Sequence, residues 1–210
     1  MNSDRPSTRS WWRSLALGIV TLSLAAQPGR AAPPERPLLA YWAFNCFTTC
    51  GDANFTPEAV SLSPASMTSS FEPDPAGNES GTTLNSVSPF EARAALTLRT
   101  GTGGANNGRD LTWRVGTSGY AALHVSFATR RSAGGFSSNQ FQYTLDGATF
   151  VNFGQPFNPG GDFAVVSSDL RHIRGLNDNP NAGFRIVFNG GSSSSAGEFT
   201  LIDNLRIVGK

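Results

Sequence analysis

This chain is short of the residues from which most catalytic and metal centres are built. Its 210 residues include two cysteines, two histidines and one lysine, and only 15% are charged. A zinc site wants four Cys or His ligands, which would consume Cys46, Cys50, His124 and His172 together, so a metal there is disfavoured against a disulfide. No HExxH pair, phosphate loop or Gly-x-Ser-x-Gly elbow occurs, which removes the motifs of zinc proteases, nucleotide-binding proteins and α/β-hydrolases. No stretch reaches the roughly twenty apolar residues that span a bilayer. Sustained helical periodicity is missing as well. The net charge of +1 lacks the clustered positive face of a nucleic-acid binder.

What is present begins with an export signature. Arg5, Arg9 and Arg13 precede an apolar run from Leu15 to Ala26, and Gly29-Arg30-Ala31 follows. Charged, apolar and small-residue regions in that order mark a secretory signal; an uncleaved anchor is the alternative. The expected layout is a signal peptide over 1–31, a proline-rich lead over 32–37 and a single domain over 38–208. Export places the protein in a secreted, periplasmic or cell-surface setting. Cys46 and Cys50 then meet an oxidising compartment and are expected to pair. The loop closed by that bond is short, and the chain-entropy model gives it only about 2 kcal/mol.

Glycine is plentiful at 23 residues, and short alternating runs lie between turn residues. That pattern predicts an all-β fold, a two-sheet antiparallel β-sandwich of jelly-roll type with eight or nine strands. The first strand is expected over Leu38 to Asn45, with Leu38, Ala40, Trp42 and Phe44 on one face. Residues 51–90 read as a long decorated loop with a weak strand near Met67 to Phe71. In the run from Tyr120 to Ala128, the residues Ala121, Leu123, Val125 and Phe127 face inward, and Tyr120, Ala122, His124 and Ser126 face outward. Asp146-Gly147 signals a hairpin. Leu170, Ile173 and Leu176 suggest one helical turn. In the last strand Phe199, Leu201, Leu205 and Ile207 set the inward phase, and Asp203 falls in it.

Four segments, in order, resemble an exported bacterial β-sandwich domain. They are Tyr41-Trp42-Ala43-Phe44-Asn45, Arg131-Ser132-Ala133-Gly134-Gly135-Phe136, Tyr143-Thr144-Leu145-Asp146-Gly147, and Phe184-Arg185-Ile186 with Ile202-Asp203-Asn204. The general form is similar to galactose-binding-like and MAM-type jelly rolls. The resemblance implies carbohydrate binding or adhesion, often with a structural calcium ion. Its partners would be an extracellular glycan or cell-surface polymer, with no nucleic acid and no membrane span. The end of the chain at Lys210 carries no sorting tail or enzyme domain, so a role as an accessory module within a larger enzyme is not expected.

An unpaired buried carboxylate at Asp203 is costly. Three resolutions are open: a β-bulge that turns it outward, backbone amides or an arginine that satisfy it, or a calcium ion, which takes six to eight oxygen ligands. The resemblance makes Asn45 a second calcium ligand. Tyr120, His124 and Ser126 could line a sugar groove, or sit on a face that is solvated or covered by residues 51–90. Arg130-Arg131 with the glycine-bearing loop behind them could cradle an anion, or simply form a loop at a strand end. Trp42 and Trp113 read as core. An enzyme reading needs two carboxyl groups, for which Glu91 and Asp110 are candidates, or a lyase set of His124 with Tyr120 or Tyr143; nothing in the spacing favours either. Non-enzymatic recognition is the leading expectation. A small glycan lyase or hydrolase, or a structural envelope or matrix protein, are the alternatives.

Overall fold

The computed structural model describes residues 36–45, 54–55, 57, 59–60, 65–72, 76–90, 93–192 and 197–210. The expected signal peptide over 1–31, most of the 32–37 lead, Glu91 and the Cys46/Cys50 pair lie outside the described residues. Residues 35–210 make one compact unit.

Thirteen strands are seen among the described residues: β1 (Leu38–Trp42), β2 (Asn54–Phe55), β3 (Ala59–Val60), β4 (Ala65–Ser69), β5 (Ala76–Ser80), β6 (Ala94–Arg99), β7 (Asp110–Val115), β8 (His124–Arg131), β9 (Ser138–Thr144), β10 (Phe150–Asn152), β11 (Ala164–Asp169), β12 (Gly183–Asn189) and β13 (Phe199–Val208). Two 3₁₀ turns, Thr102–Gly104 and Arg174–Leu176, complete the regular structure. The second of these is the turn that the Leu170, Ile173, Leu176 spacing predicts.

The strands form two antiparallel sheets. The first has seven strands, in the order β11-β8-β13-β1-β3, with β6 pairing β13 further along that strand and β5 pairing β6. The second has six, in the order β10-β9-β12-β7-β4-β2. They enclose a shared core. Trp42, Val125, Phe127, Leu205 and Ile207 come from the first sheet, and Met67, Trp113, Phe141, Phe184 and Phe188 from the second. Phe71, Phe136 and Phe188 meet with ring centroids 5.5–5.7 Å apart. The chain is thus a two-sheet antiparallel β-sandwich, held by every second side chain of its strands.

The strand count exceeds the eight or nine expected. The excess lies in 51–90, where β2 and β3 are two residues long and β5 is rich in Gly, Asn, Glu and Ser. Runs that short, or that polar, carry no period-two signal. Among the described residues no helix is long and apolar enough to cross a membrane.

The expected phase of the last strand is corrected. Ile202, Leu205 and Ile207 join the cluster between the sheets, whereas Leu201, though fully buried, is not part of it. The pairing of β13 with β8 shifts register between Asp203 and Arg206, and Asn204 has a φ of 51°. This β-bulge turns the strand by one position. Asp203, opposite Ala128 in the ladder, therefore faces away from the core.

Candidate functional site

Asp203 is nonetheless buried, with 1% of its surface exposed, because residues 81–90 fold over the outer face of the first sheet. Its Oδ2 accepts a hydrogen bond from the Thr82 amide at 2.7 Å and its Oδ1 from the Asn204 amide at 2.8 Å. Asn204 donates from Nδ2 to the carbonyls of Thr82 and Leu84 and accepts from the Tyr41 hydroxyl. Asn85 donates to the Asn204 carbonyl at 2.7 Å. Gly81 permits this approach: a Cβ there would lie 2.6 Å from both Asp203 Oδ2 and the Ala94 carbonyl.

Asn45 accepts from the Arg93 and Ala94 amides at 3.0 and 3.2 Å, so both lone pairs of its Oδ1 are engaged. Among the described residues no three His, Cys, Asp or Glu side chains gather as a metal cluster. A calcium ion at Asp203 and Asn45 would share their oxygens with four backbone amides. No role is derived through it.

Of the outward set on β8, Ser126 is buried at 1% exposure. Its hydroxyl donates to Asn85 Oδ1 at 3.1 Å and accepts from Arg206 Nε at 3.2 Å. It belongs to the contact between the first sheet and 81–90. Tyr120 packs half-buried against the core. Arg131 lies at the opposite end of β8 from His124, where its Nε donates to Asn158 Oδ1 and the Pro159 carbonyl, and its Nη1 to the Ser132 and Ala133 carbonyls. Those bonds tie two loops together, and the guanidinium is used by the fold. Tyr143 sits on β9 of the second sheet, also against the core. The structure therefore does not bring Tyr120, His124 and Tyr143 into one groove. Asp110 is held by the hydroxyls of Thr112 and Ser70 at 2.9 and 3.2 Å.

Among the described residues, Asn45 lines an open cavity of about 390 Å³ with Pro89, Phe90 and Arg93, and His124 lines another, of about 440 Å³. Leu38, Val87 and Val208 form its apolar wall, and Arg36, His124, Asp169 and Arg206 its polar side. Burial, then the Arg36 charge, pushes the His124 pKa below its ordinary value. Asp169 loses hydration there, yet the hydrogen bonds and charge of Arg171, 2.6 Å away, hold its pKa low.

A second feature was not singled out in the sequence. The outer face of the second sheet carries a polar row that crosses five strands in register. Asn152 of β10 lies opposite Gln142 of β9, then follow Arg185 of β12, Thr112 of β7 and Thr68 of β4. Gln142 Nε2 donates to Asn152 Oδ1 at 2.7 Å, and Arg185 Nε donates to Gln142 Oε1 at 2.7 Å. The Arg185 guanidinium stacks over the Phe150 ring, 4.0 Å from its centroid. Asn152 and Thr68 are exposed, and Gln142, Arg185 and Thr112 half-exposed. The signal that could have found the row is the polar phase of the strands themselves: Gln140, Gln142 and Thr144 alternate with Phe141 and Tyr143, and Arg185 alternates with Phe184 and Ile186.

No protein-family model matches this chain, and no curated protein matches it. Solved structures do resemble it at low identity. One is TmCBM61 in complex with β-1,4-galactotriose, with 10% identity, a TM-score of 0.43, and coverage of 70% of this chain and 90% of that one. Another is the family 11 carbohydrate-binding module of the cellulosomal cellulase Lic26A-Cel5E of Clostridium thermocellum, with 11% identity, a TM-score of 0.41, and coverage of 85% and 97%. A third is the glycoside hydrolase domain of Endo-D from Streptococcus pneumoniae R6, with 12% identity, a TM-score of 0.37, and coverage of 68% of this chain but only 21% of that one.

Proposed function

We propose that this protein is an exported, non-enzymatic carbohydrate-recognition module whose ligand lies along the Asn152–Gln142–Arg185–Thr112–Thr68 row. The observation that carries this reading is the row itself: an accessible line of amides, a guanidinium and hydroxyls across five neighbouring strands. Strands lie about 4.8 Å apart, so the row spans about 19 Å and suits an extended chain. Sugar hydroxyls both donate and accept, and the side-chain amides of Asn152 and Gln142 offer both functions. The Arg185 plane, held by Phe150 behind it and Gln142 beside it, presents fixed donors and a flat face at little further ordering cost. The row holds one arginine, and the Asp110 carboxylate lies beside it, accepting from the Thr112 hydroxyl; that near balance of charge favours a neutral extracellular glycan or cell-surface polymer.

The partner would meet the protein outside the cytosol. Residues 1–31 would direct export, and Cys46 would pair with Cys50; denatured protein recovered from the medium or periplasm is then expected to show no free thiol, and two titratable thiols would refute the bond. Structural calcium is no part of this proposal.

The test is a glycan-array screen of the exported protein beside its Arg185→Ala and Gln142→Ala variants. Binding to one class of neutral glycan, lost at least tenfold in both variants at unchanged melting temperature, supports the reading. Binding that ignores both substitutions, or no glycan bound at all, overturns it.

A further inference from the structure

The cavity at His124 is separate from the polar row, since it lies on the first sheet among β8, β11, β13 and the start of β1. We infer that it is a second binding site, one that takes the carboxylate of an acidic sugar. Among the described residues neither Arg36 nor Arg206 forms an ion pair. Arg36 makes one hydrogen bond, from Nη1 to the Ala122 carbonyl at 3.3 Å. Arg206 makes one, from Nε to Ser126 Oγ, which fixes its stem and leaves both terminal nitrogens as donors. His124 adds a ring whose nitrogens make no hydrogen bond among the described residues. Among the described residues the one carboxylate on the wall is Asp169, which pairs with Arg171 at 2.6 Å. The guanidinium groups of Arg36 and Arg206 therefore both face the space, with Asp169 acting on Arg36 only through its charge and not as an ion pair.

A planar carboxylate is the anion that a guanidinium fork matches with two parallel bonds. The cavity is larger than a bare oxyanion needs: at about 440 Å³ it far exceeds the roughly 30 Å³ share of one water. Leu38, Val87 and Val208 give the surplus volume an apolar wall, on which the C–H face of a sugar ring can lie. A free inorganic anion would leave that wall bare. The inference does not depend on the polar row, and the ligand class differs: a uronate here, a neutral glycan there.

Protonation follows from the same geometry. The charged groups facing His124 are Arg36 ahead of β1, Asp169 and Arg171 at the end of β11, and Arg206 on β13. An added carboxylate beside the ring offsets the arginines and favours the imidazolium. Uronate binding is thus expected to raise the His124 pKa and to tighten as pH falls through that value.

The experiment is an NMR titration of the two histidine rings in the full exported protein, with His172, tilted against the Phe153 ring, as the internal control. The probes are D-galacturonate, D-galactose, acetate and sulfate. Galacturonate is expected to raise the His124 pKa, leave His172 unmoved, and bind at least tenfold tighter than any of the other three. Arg206→Met and, separately, Arg36→Met should each weaken galacturonate at least tenfold, with Arg185→Ala binding it as wild type does. An unmoved His124, or full binding in folded Arg206→Met and Arg36→Met proteins, overturns the site. Equal affinity for acetate, sulfate and galacturonate overturns its assignment to a sugar. Loss of glycan binding in Arg185→Ala with galacturonate retained marks the polar row alone.

Discussion

Asp203 shows how much one side chain can organise. It accepts from the half-buried Thr82 amide and the buried Asn204 amide, and through them fixes the cover over the first sheet. Removing the carboxylate leaves those N–H groups without an acceptor. Hydrogen bonds to charged groups contribute about 1.5–3 kcal/mol each, so Asp203→Ala should lower unfolding free energy by about 3 kcal/mol or more in urea denaturation. Asp203→Asn, which keeps one acceptor oxygen, should lose less. A wild-type midpoint in Asp203→Ala would remove the carboxylate from its structural role. Asp146 offers a pH test at the same scale. Its carboxylate accepts from the Ala148 and Thr149 amides and from the Thr144 hydroxyl, which holds its pKa well below the ordinary carboxylate range. A depressed pKa contributes stability that is fully present above about pH 4, the unfolded value, and is lost as pH falls toward the folded one. Stability measured from pH 6 to pH 2 should therefore decline less steeply in Asp146→Asn than in wild type.

At the scale of the element, legibility in the sequence depended on length and phase. β7, β8, β9 and β12 alternate cleanly, and Leu111, Trp113, Val125, Phe127, Phe184 and Ile186 lie in the core as their spacing predicts. The hairpin at Asp146-Gly147 joins β9 to β10, with Gly147 at a φ of 75°. Two things were only partly legible. The bulge in β13, which breaks period two between Ile202 and Leu205, was one of three resolutions open for Asp203, because a single inserted residue leaves no mark in composition that singles it out. The strands of 51–90 are too short or too polar to declare themselves, since their pairing is dictated by neighbours distant in sequence. The candidate site divides the same way. His124 was legible because it is the outward residue of a strong strand. The polar row was not, because its members come from five strands and only the register brings them together. Arg131 looked like an anion ligand, but its Nε and Nη1 donate to neighbouring loops, a use that residue type alone cannot reveal.

At the scale of the whole molecule, the two sheets have unlike outer faces. That of the first is sealed around Tyr41, Ser126 and Asn204 by 81–90 and opens near His124. That of the second keeps an accessible polar row. Both depend on the packed interior between them. Phe188→Ala, which removes a ring that meets both Phe71 and Phe136, should cost about 3–5 kcal/mol in chemical denaturation; a loss below 1 kcal/mol would contradict the packing described. The function proposed here stands on where a neutral glycan lies, and backbone and side-chain NMR shift mapping reads that position directly. With a glycan selected from the array, resonances of Gln142, Asn152, Thr112 and the Arg185 guanidinium are predicted to move together, and those of Ser126, Asn204 and His124 to stay. Shifts confined to the first sheet, with the Arg185 row silent, would contradict the account.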